Sequence, residues 1–352
     1  MEKRKYFNKL DSAFTFACSI ILPQLVGVAV VMLIGLIMNI FGSDYATFSD
    51  STFGEVVLSI TTSMVFIAII FLYSHYKKID IKSAAHLNKK INYISIICGI
   101  CISIAAVKLL SPFISMVDTF LINIGYTING EVPILNGSAF TLILGILALA
   151  VVPAVAEELL FRGVILNGIK KRGVFKAVLI SAICFTLMHT SPQQTVYQFI
   201  LGIIFGYALY TTGSIYMSML IHFVNNLIVV IMAQYSLTHN ITAQTFEFTA
   251  PNIIIAVLSL LLGILIIWGL FKINNKLNKI SVKDIKDDEI IIGELELVQK
   301  RTLDIDEALT IEQKKYLHQE EINATKKYWW IGFTVSIFLW VAVLISTMSN
   351  FS

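Results

Sequence analysis

The sequence predicts an all-α fold, a polytopic transmembrane helix bundle of about eight core spans with one extra span at the C-terminal end. Three observations predict it. Hydrophobic residues make up 57% of the 352 and charged residues 14%, against roughly 45–50% and 25% in soluble domains. Apolar runs recur near the length of about 20 residues that crosses a bilayer as a helix. The polar loops between them alternate in Lys and Arg content, as loops on opposite sides of a membrane do.

Taken in order, the spans fall at about 13–41, 53–75, 91–111, 138–158, 175–190, 195–211, 215–235, 252–271 and 329–348. The first is long, and Pro23 breaks or kinks it. It exceeds the apolar core of a signal peptide and lacks a small-residue cleavage site, so it reads as an anchor. The N-terminus carries Lys3, Arg4, Lys5 and Lys9, whereas 42–52 has no Lys or Arg. Lys77, Lys78, Lys82, Lys89 and Lys90 fill the next loop, and 112–137 again has none. Lys170, Lys171, Arg172 and Lys176 follow, and 236–250 has none. Nine spans with a cytoplasmic N-terminus satisfy this alternation, and one miscounted span would invert every later loop.

The net charge of +3 is small and its basic residues sit in short clusters, which argues against a nucleic-acid partner and leaves the lipid bilayer. Cys18, Cys98, Cys101 and Cys184 all fall in apolar runs. Cys98 and Cys101 have no second pair to complete a zinc site, so all four read as small packing residues. One stretch departs from the membrane pattern: residues 272–328 hold 23 of the 49 charged residues. The alternation puts it in the cytoplasm. A capping box at Thr310 and Gln313 predicts a helix running to the last span, whose start Tyr328, Trp329 and Trp330 mark at the interface. The stretch reads as a tether for that span, with a docking module as the sharper alternative.

Ionisable groups at membrane depth are costly and face a cavity or a partner. Glu157, Glu158 and Arg162 form the densest group, near the cytoplasmic end of the span at 138–158. Glu158 and Arg162 are an i,i+4 pair. Glu157 is rotated about 100° from Glu158, and a carboxylate there suits a general base. His189 closes the fifth span, with Phe185 one turn before it; His222 and Asn226, also i,i+4, share one side of the seventh. An imidazole relays protons, and a His/Asn pair can donate to a developing oxyanion. Depth is the difficulty. Glu157 belongs near one face, yet His189 lies 13 residues beyond Lys176, roughly 20 Å of helix. Either the fifth span starts well below the interface or the motifs do not meet.

Glu157-Glu158-Leu-Leu-Phe161-Arg162, Phe185-Thr-Leu-Met-His189 and His222-Phe-Val-Asn225-Asn226 resemble, in order, the three motifs of the CAAX-protease and bacteriocin-processing family of intramembrane endopeptidases, Abi-type proteins included. The sequence is similar to the type II CAAX prenyl endopeptidases of that family. The likeness covers about residues 140–235. It divides the chain into spans 1–3 (1–137), a catalytic-type core of spans 4–8 (138–271), the charged segment (272–328) and the last span (329–352). The resemblance implies hydrolysis of a peptide bond in a membrane-associated or exported peptide or protein, in an integral protein of the bacterial plasma membrane. Glu157 with His189 would activate a water. His222 and Asn226 would hold the oxyanion, and Glu158 and Arg162 would brace the cavity, with Glu158 able to share the base role. No obligatory cofactor is implied. A divalent metal is the alternative: Glu157, His189 and His222 make a two-His, one-carboxylate set for zinc, although no HExxH is present. From other classes, a non-catalytic scaffold or immunity protein keeps the same residues. A transporter would use the buried carboxylates, but the sequence has no repeat to support it.

Overall fold

The computed structural model describes residues 4, 6–41, 52–128, 132, 134–170, 173–241, 245–278 and 311–348. Helices account for nearly all of them, and no strand occurs among the described residues. In chain order they are α1 (Lys9–Ile40), α2 (Thr52–Tyr76), α3 (Tyr93–Asn123), α4 (Ala139–Ile169), α5 (Val174–Met188), α6 (Thr195–Thr212), α7 (Ile215–Thr238), α8 (Ala250–Leu277) and α9 (Ile311–Thr347), with one short turn at Ile81–Ala84. All but α5 are long and apolar enough to cross a membrane, which makes the chain an integral membrane protein with a polytopic all-α bundle.

The helix starts follow local chemistry. Asn8 and Asp11 form a reciprocal capping box at α1, and Asn92, Ser138 and Thr249 cap α3, α4 and α8. α4 departs from the expected span at 138–158, because it runs on to Ile169. The charges do not end the helix, since Glu158 and Arg162 neutralise each other inside the bundle and both are fully buried. Within α4, Ile146–Val151 and Leu159–Leu166 wind as π-helix on either side of the Val152–Glu158 turns.

α5 is 15 residues long, about 22 Å at 1.5 Å per residue, short of the roughly 30 Å of a hydrocarbon core. This removes the depth conflict. Glu157 lies 12 residues before the end of α4 at Ile169, and His189 lies 15 residues after the start of α5 at Val174. α5 starts five residues after α4 ends and packs back along its second half, so both residues sit at similar depth in mid-bundle. Thr190, a β-branched residue at φ 49, then turns the chain sharply into the loop before α6.

α4 is central, with α1, α2, α5 and α7 around it, and α8 packs along α3. Close approach needs glycine at two points. A Cβ on Gly168 would lie 2.0 Å from Ser12 Oγ, and one on Gly202 would lie 2.9 Å from the Ala182 backbone, as expected for tight helix pairs in a membrane. Of the charged segment, 279–310, including Thr310 of the expected capping box, lies outside the described residues. From Ile311 the chain is one helix of 37 residues through the last span. Trp329 and Phe333 of α9 pack on Phe16 of α1, and the Trp340 indole donates to Thr195 Oγ1 at 2.8 Å.

Candidate active site

Of the sequence-derived residues, Arg162, His189 and His222 come together around one aromatic hub, Glu157 and Glu158 adjoin it through His222, and Asn226 bonds instead to the Leu149 carbonyl. Phe185, fully buried, meets His189, His222 and Phe161 edge-on at centroid distances of 4.8, 5.9 and 5.3 Å. The Arg162 guanidinium sits 4.5 Å from the Phe185 ring and 5.0 Å from the Phe205 ring. His222 stacks on Phe205 at 4.7 Å. The Phe-x-x-x-His spacing therefore has a packing cause: one turn of α5 places a ring that touches both histidines and the arginine.

Glu158 is the anchored carboxylate. Its Oε1 accepts from Arg162 Nη1 and from His222 Nδ1, both at 2.9 Å, with the Glu158 and Arg162 side chains 0% exposed. Arg162 Nη2 donates to the Gly202 carbonyl at 3.0 Å. Glu157 differs. Its side chain is 13% exposed, its Oε2 lies 3.9 Å from His222 Nε2, and that buried oxygen has no hydrogen-bond partner among the described residues. A carboxylate hydrogen-bonded to an arginine and a histidine, beside one that only faces His222 Nε2, is the arrangement expected of a brace beside a base.

Hydrogen-bond chemistry fixes which ring nitrogens carry protons. A carboxylate only accepts, so His222 Nδ1–H donates to Glu158 and Nε2 points toward Glu157. A carbonyl only accepts, so His189 Nδ1–H donates to Phe185 O at 2.9 Å, leaving Nε2 of a neutral ring as an acceptor. Asn226 Nδ2 donates to Leu149 O at 2.9 Å, in the first π stretch of α4.

Sequence reasoning passed over Asn225. It is buried, its Oδ1 accepts from Tyr197 OH at 2.7 Å, and its Nδ2 donates to Asn226 Oδ1 at 3.3 Å. A polar side chain on the buried face of an apolar span was the signal available. Phe205 and Gly202 were also missed, and neither residue type signals chemistry alone.

Among the described residues no group of three or more His, Cys, Asp or Glu side chains could hold a metal ion. His189 and His222 each turn Nδ1 onto an internal acceptor, which leaves their Nε2 atoms and Glu157 as the donors a divalent metal would have to use.

No curated protein and no solved structure matches the chain. Residues 139–228, which span all three motifs, match the family model described as type II CAAX prenyl endopeptidase Rce1-like, a family of proteases, consistent with the CAAX-protease and bacteriocin-processing family that the motifs resemble.

Proposed function

We propose that the chain is an intramembrane endopeptidase that cuts a peptide bond of a membrane-associated or exported peptide with a water activated by Glu157. The observation that carries the reading is the contrast between two adjacent carboxylates. Glu158 accepts from both Arg162 and His222 through Oε1, whereas Glu157 accepts no hydrogen bond among the described residues and only faces His222 Nε2 at 3.9 Å; the Oε2 of each is buried without a partner. A carboxylate with no hydrogen-bond donor is costly to bury, and Glu157, 13% exposed where Glu158 is fully buried, is the one of the two that a water can reach.

The roles we assign build on the bonds already described. Glu157 takes the proton of the attacking water, and His189 Nε2, the acceptor nitrogen of its ring, orients that water and relays the proton to the leaving amine. As the oxyanion forms, His222 with Nε2 protonated faces it. Glu157 then holds the water's proton, so the remaining charges pair off, Glu158 with Arg162 and the oxyanion with an imidazolium at His222. Asn226, with one amide hydrogen on Leu149 O, offers the other. Glu158 and Arg162 hold His222 and the turn of α4 in place. No step requires a metal or another cofactor.

The setting we propose is the bacterial plasma membrane with the N-terminus in the cytoplasm, supported by the basic loops before α1, α3 and α5. A cysteine placed at position 281 should then resist impermeant reagents in intact cells.

The deciding experiment compares the peptides released by membranes carrying the wild-type chain and Glu157→Gln, nearly isosteric but unable to act as a base. Fragments present with the first and lost with the second support hydrolysis. Identical peptide sets, with a retained cellular phenotype, would instead make the chain a scaffold.

A further inference from the structure

Away from the carboxylates, a cavity of about 400 Å3 lies between α1 and α2, and Met188 and Thr190, the neighbours of His189 on either side, close one wall of it. Pro23, Gly27 and Val31 line it from α1 at one-turn spacing, and Leu58 and Phe66 face them from α2.

Two features of α1 keep this space open. Pro23 has no amide proton, so the Ser19 carbonyl loses its helical donor and the helix is weakened at that turn. A Cβ added to Gly27 would meet nothing within 4 Å. Beyond Pro23 the large side chains of α1 turn away from the bundle, with Leu25, Leu33 and Leu36 at 61, 57 and 59% exposure. The far half of α1 thus stands off its neighbours, and the cavity is reached from the bilayer.

We propose that this cavity is a specificity site that receives a bulky apolar side chain of the peptide substrate, entering laterally from the lipid between α1 and α2. The proposal rests on the endopeptidase reading above. Three observations argue for a substrate side chain rather than a lipid chain. The cavity ends at the residues that bracket His189, so an occupant lies beside the proposed chemistry. The wall there is a constrained turn: Thr190 is held at φ 49, and its amide bonds Leu187 O at 3.2 Å. Strained backbone of this kind persists where the surroundings over-determine it. Finally, the lining is apolar with a few polar groups, Ser19, Gln24, Thr62 and Thr190, the pattern of sites that fix the orientation of a ligand. A pocket of this kind reads size. Gly27, the lining residue without a side chain, is the specificity-determining position.

The test uses the full chain in lipid nanodiscs and has two arms. In the first, Glu157→Gln protein is irradiated with an apolar peptide of about 20 residues, long enough to span, carrying one benzophenone side chain. Crosslinks on Gly27–Val31 and Leu58, suppressed by unlabelled peptide and by Gly27→Phe, are expected. Crosslinks elsewhere, or suppression by added phospholipid but not by peptide, would overturn the proposal and make the cavity a lipid site. In the second arm, turnover is measured on quenched peptides that differ in one residue, Ala or Phe. Gly27→Phe should lower turnover of the Phe peptide relative to the Ala peptide by roughly tenfold or more. Gly269→Phe on α8, where an added Cβ also meets nothing within 4 Å, should leave the ratio unchanged. Equal losses on both peptides sink the size-reading pocket. Specific crosslinking without any cleavage by the wild-type chain would instead defeat the hydrolase reading and leave the peptide site standing.

Discussion

Replacing Arg162 by Met isolates what holds the centre of the bundle. The guanidinium is fully buried, bonds Glu158 Oε1 at 2.9 Å and the Gly202 carbonyl at 3.0 Å, and lies between two phenylalanine rings. Arg162→Met keeps apolar bulk against those rings but leaves the Glu158 carboxylate with His222 alone. Breaking a buried pair by removing one partner costs about 3–5 kcal/mol, much of it the uncompensated charge. The orphaned Gly202 carbonyl adds about 1–3 kcal/mol. These contributions overlap, so about 4 kcal/mol is expected, roughly a 10 °C drop in the midpoint of heat-induced aggregation in detergent. The informative variant is Glu158→Gln with Arg162→Met, which removes the stranded charge. It should recover about 2 kcal/mol relative to Arg162→Met, a coupling that independent sites do not show. Arg162→Met protein as stable as wild type, or a double variant no better than the sum of its parts, would refute the buried-pair argument.

Three further outcomes follow from the site. Asn226→Ala should lower kcat by about 10²–10³-fold with little change in substrate affinity, as for loss of one oxyanion donor; a change confined to KM would remove Asn226 from that role. Tyr197→Phe deletes the hydroxyl that holds Asn225 at 2.7 Å and should cost a few-fold in kcat at unchanged fold, since it acts only by orienting Asn226; circular dichroism and steady-state kinetics check both halves. Turnover in detergent should survive strong chelators, whereas loss on chelation and recovery with added zinc would assign His189 and His222 to a metal.

Much of this was legible in the sequence because lipid is a demanding solvent. Apolar runs must be helices there, so the positions of the nine long helices among the described residues could be read from hydropathy. The ordered motifs on α4, α5 and α7 pointed to the segment that matches the Rce1-like family. Depth was harder to read. Hydropathy ended the fourth span at Glu158, because it counts a Glu and an Arg as a boundary even where their i,i+4 spacing lets them pair. In the structure they are a neutral pair, α4 runs on to Ile169, and α5 is too short to carry His189 to the far face. The Tyr197–Asn225–Asn226 relay was out of reach for a different reason. It joins α6 to α7 through partners 28 residues apart, and no periodicity reports which side chains of two helices meet.

The π-helical stretches of α4 were equally hidden, and they set the direction of the glutamates. A π turn disturbs the regular i→i−4 ladder, and a carbonyl left unpaired in a dry interior costs several kcal/mol. Here neighbouring side chains supply donors. In the first stretch, Ser59 of α2 bonds Ala148 O at 2.9 Å and Asn226 of α7 bonds Leu149 O. In the second, Ser181 of α5 bonds Phe161 O at 3.0 Å, Asn167 bonds the carbonyls of Arg162 and Gly163, and Ser12 of α1 bonds Ile165 O at 3.0 Å. Glu157 and Glu158 lie on the ordinary turns between these stretches, so polar side chains on four other helices fix their register. Ser181→Ala tests this, because Ser181 bonds backbone rather than any proposed catalytic side chain. It strands the Phe161 carbonyl, which should cost about 1–3 kcal/mol of stability. If the second stretch relaxes toward a regular helix in response, the Arg162 guanidinium shifts and kcat falls by an order of magnitude or more, since small misplacements of catalytic groups are expensive. A variant that loses stability but keeps the wild-type kcat would show that the carboxylates are aimed by their own bonds to Arg162 and His222, and that the π register serves packing alone.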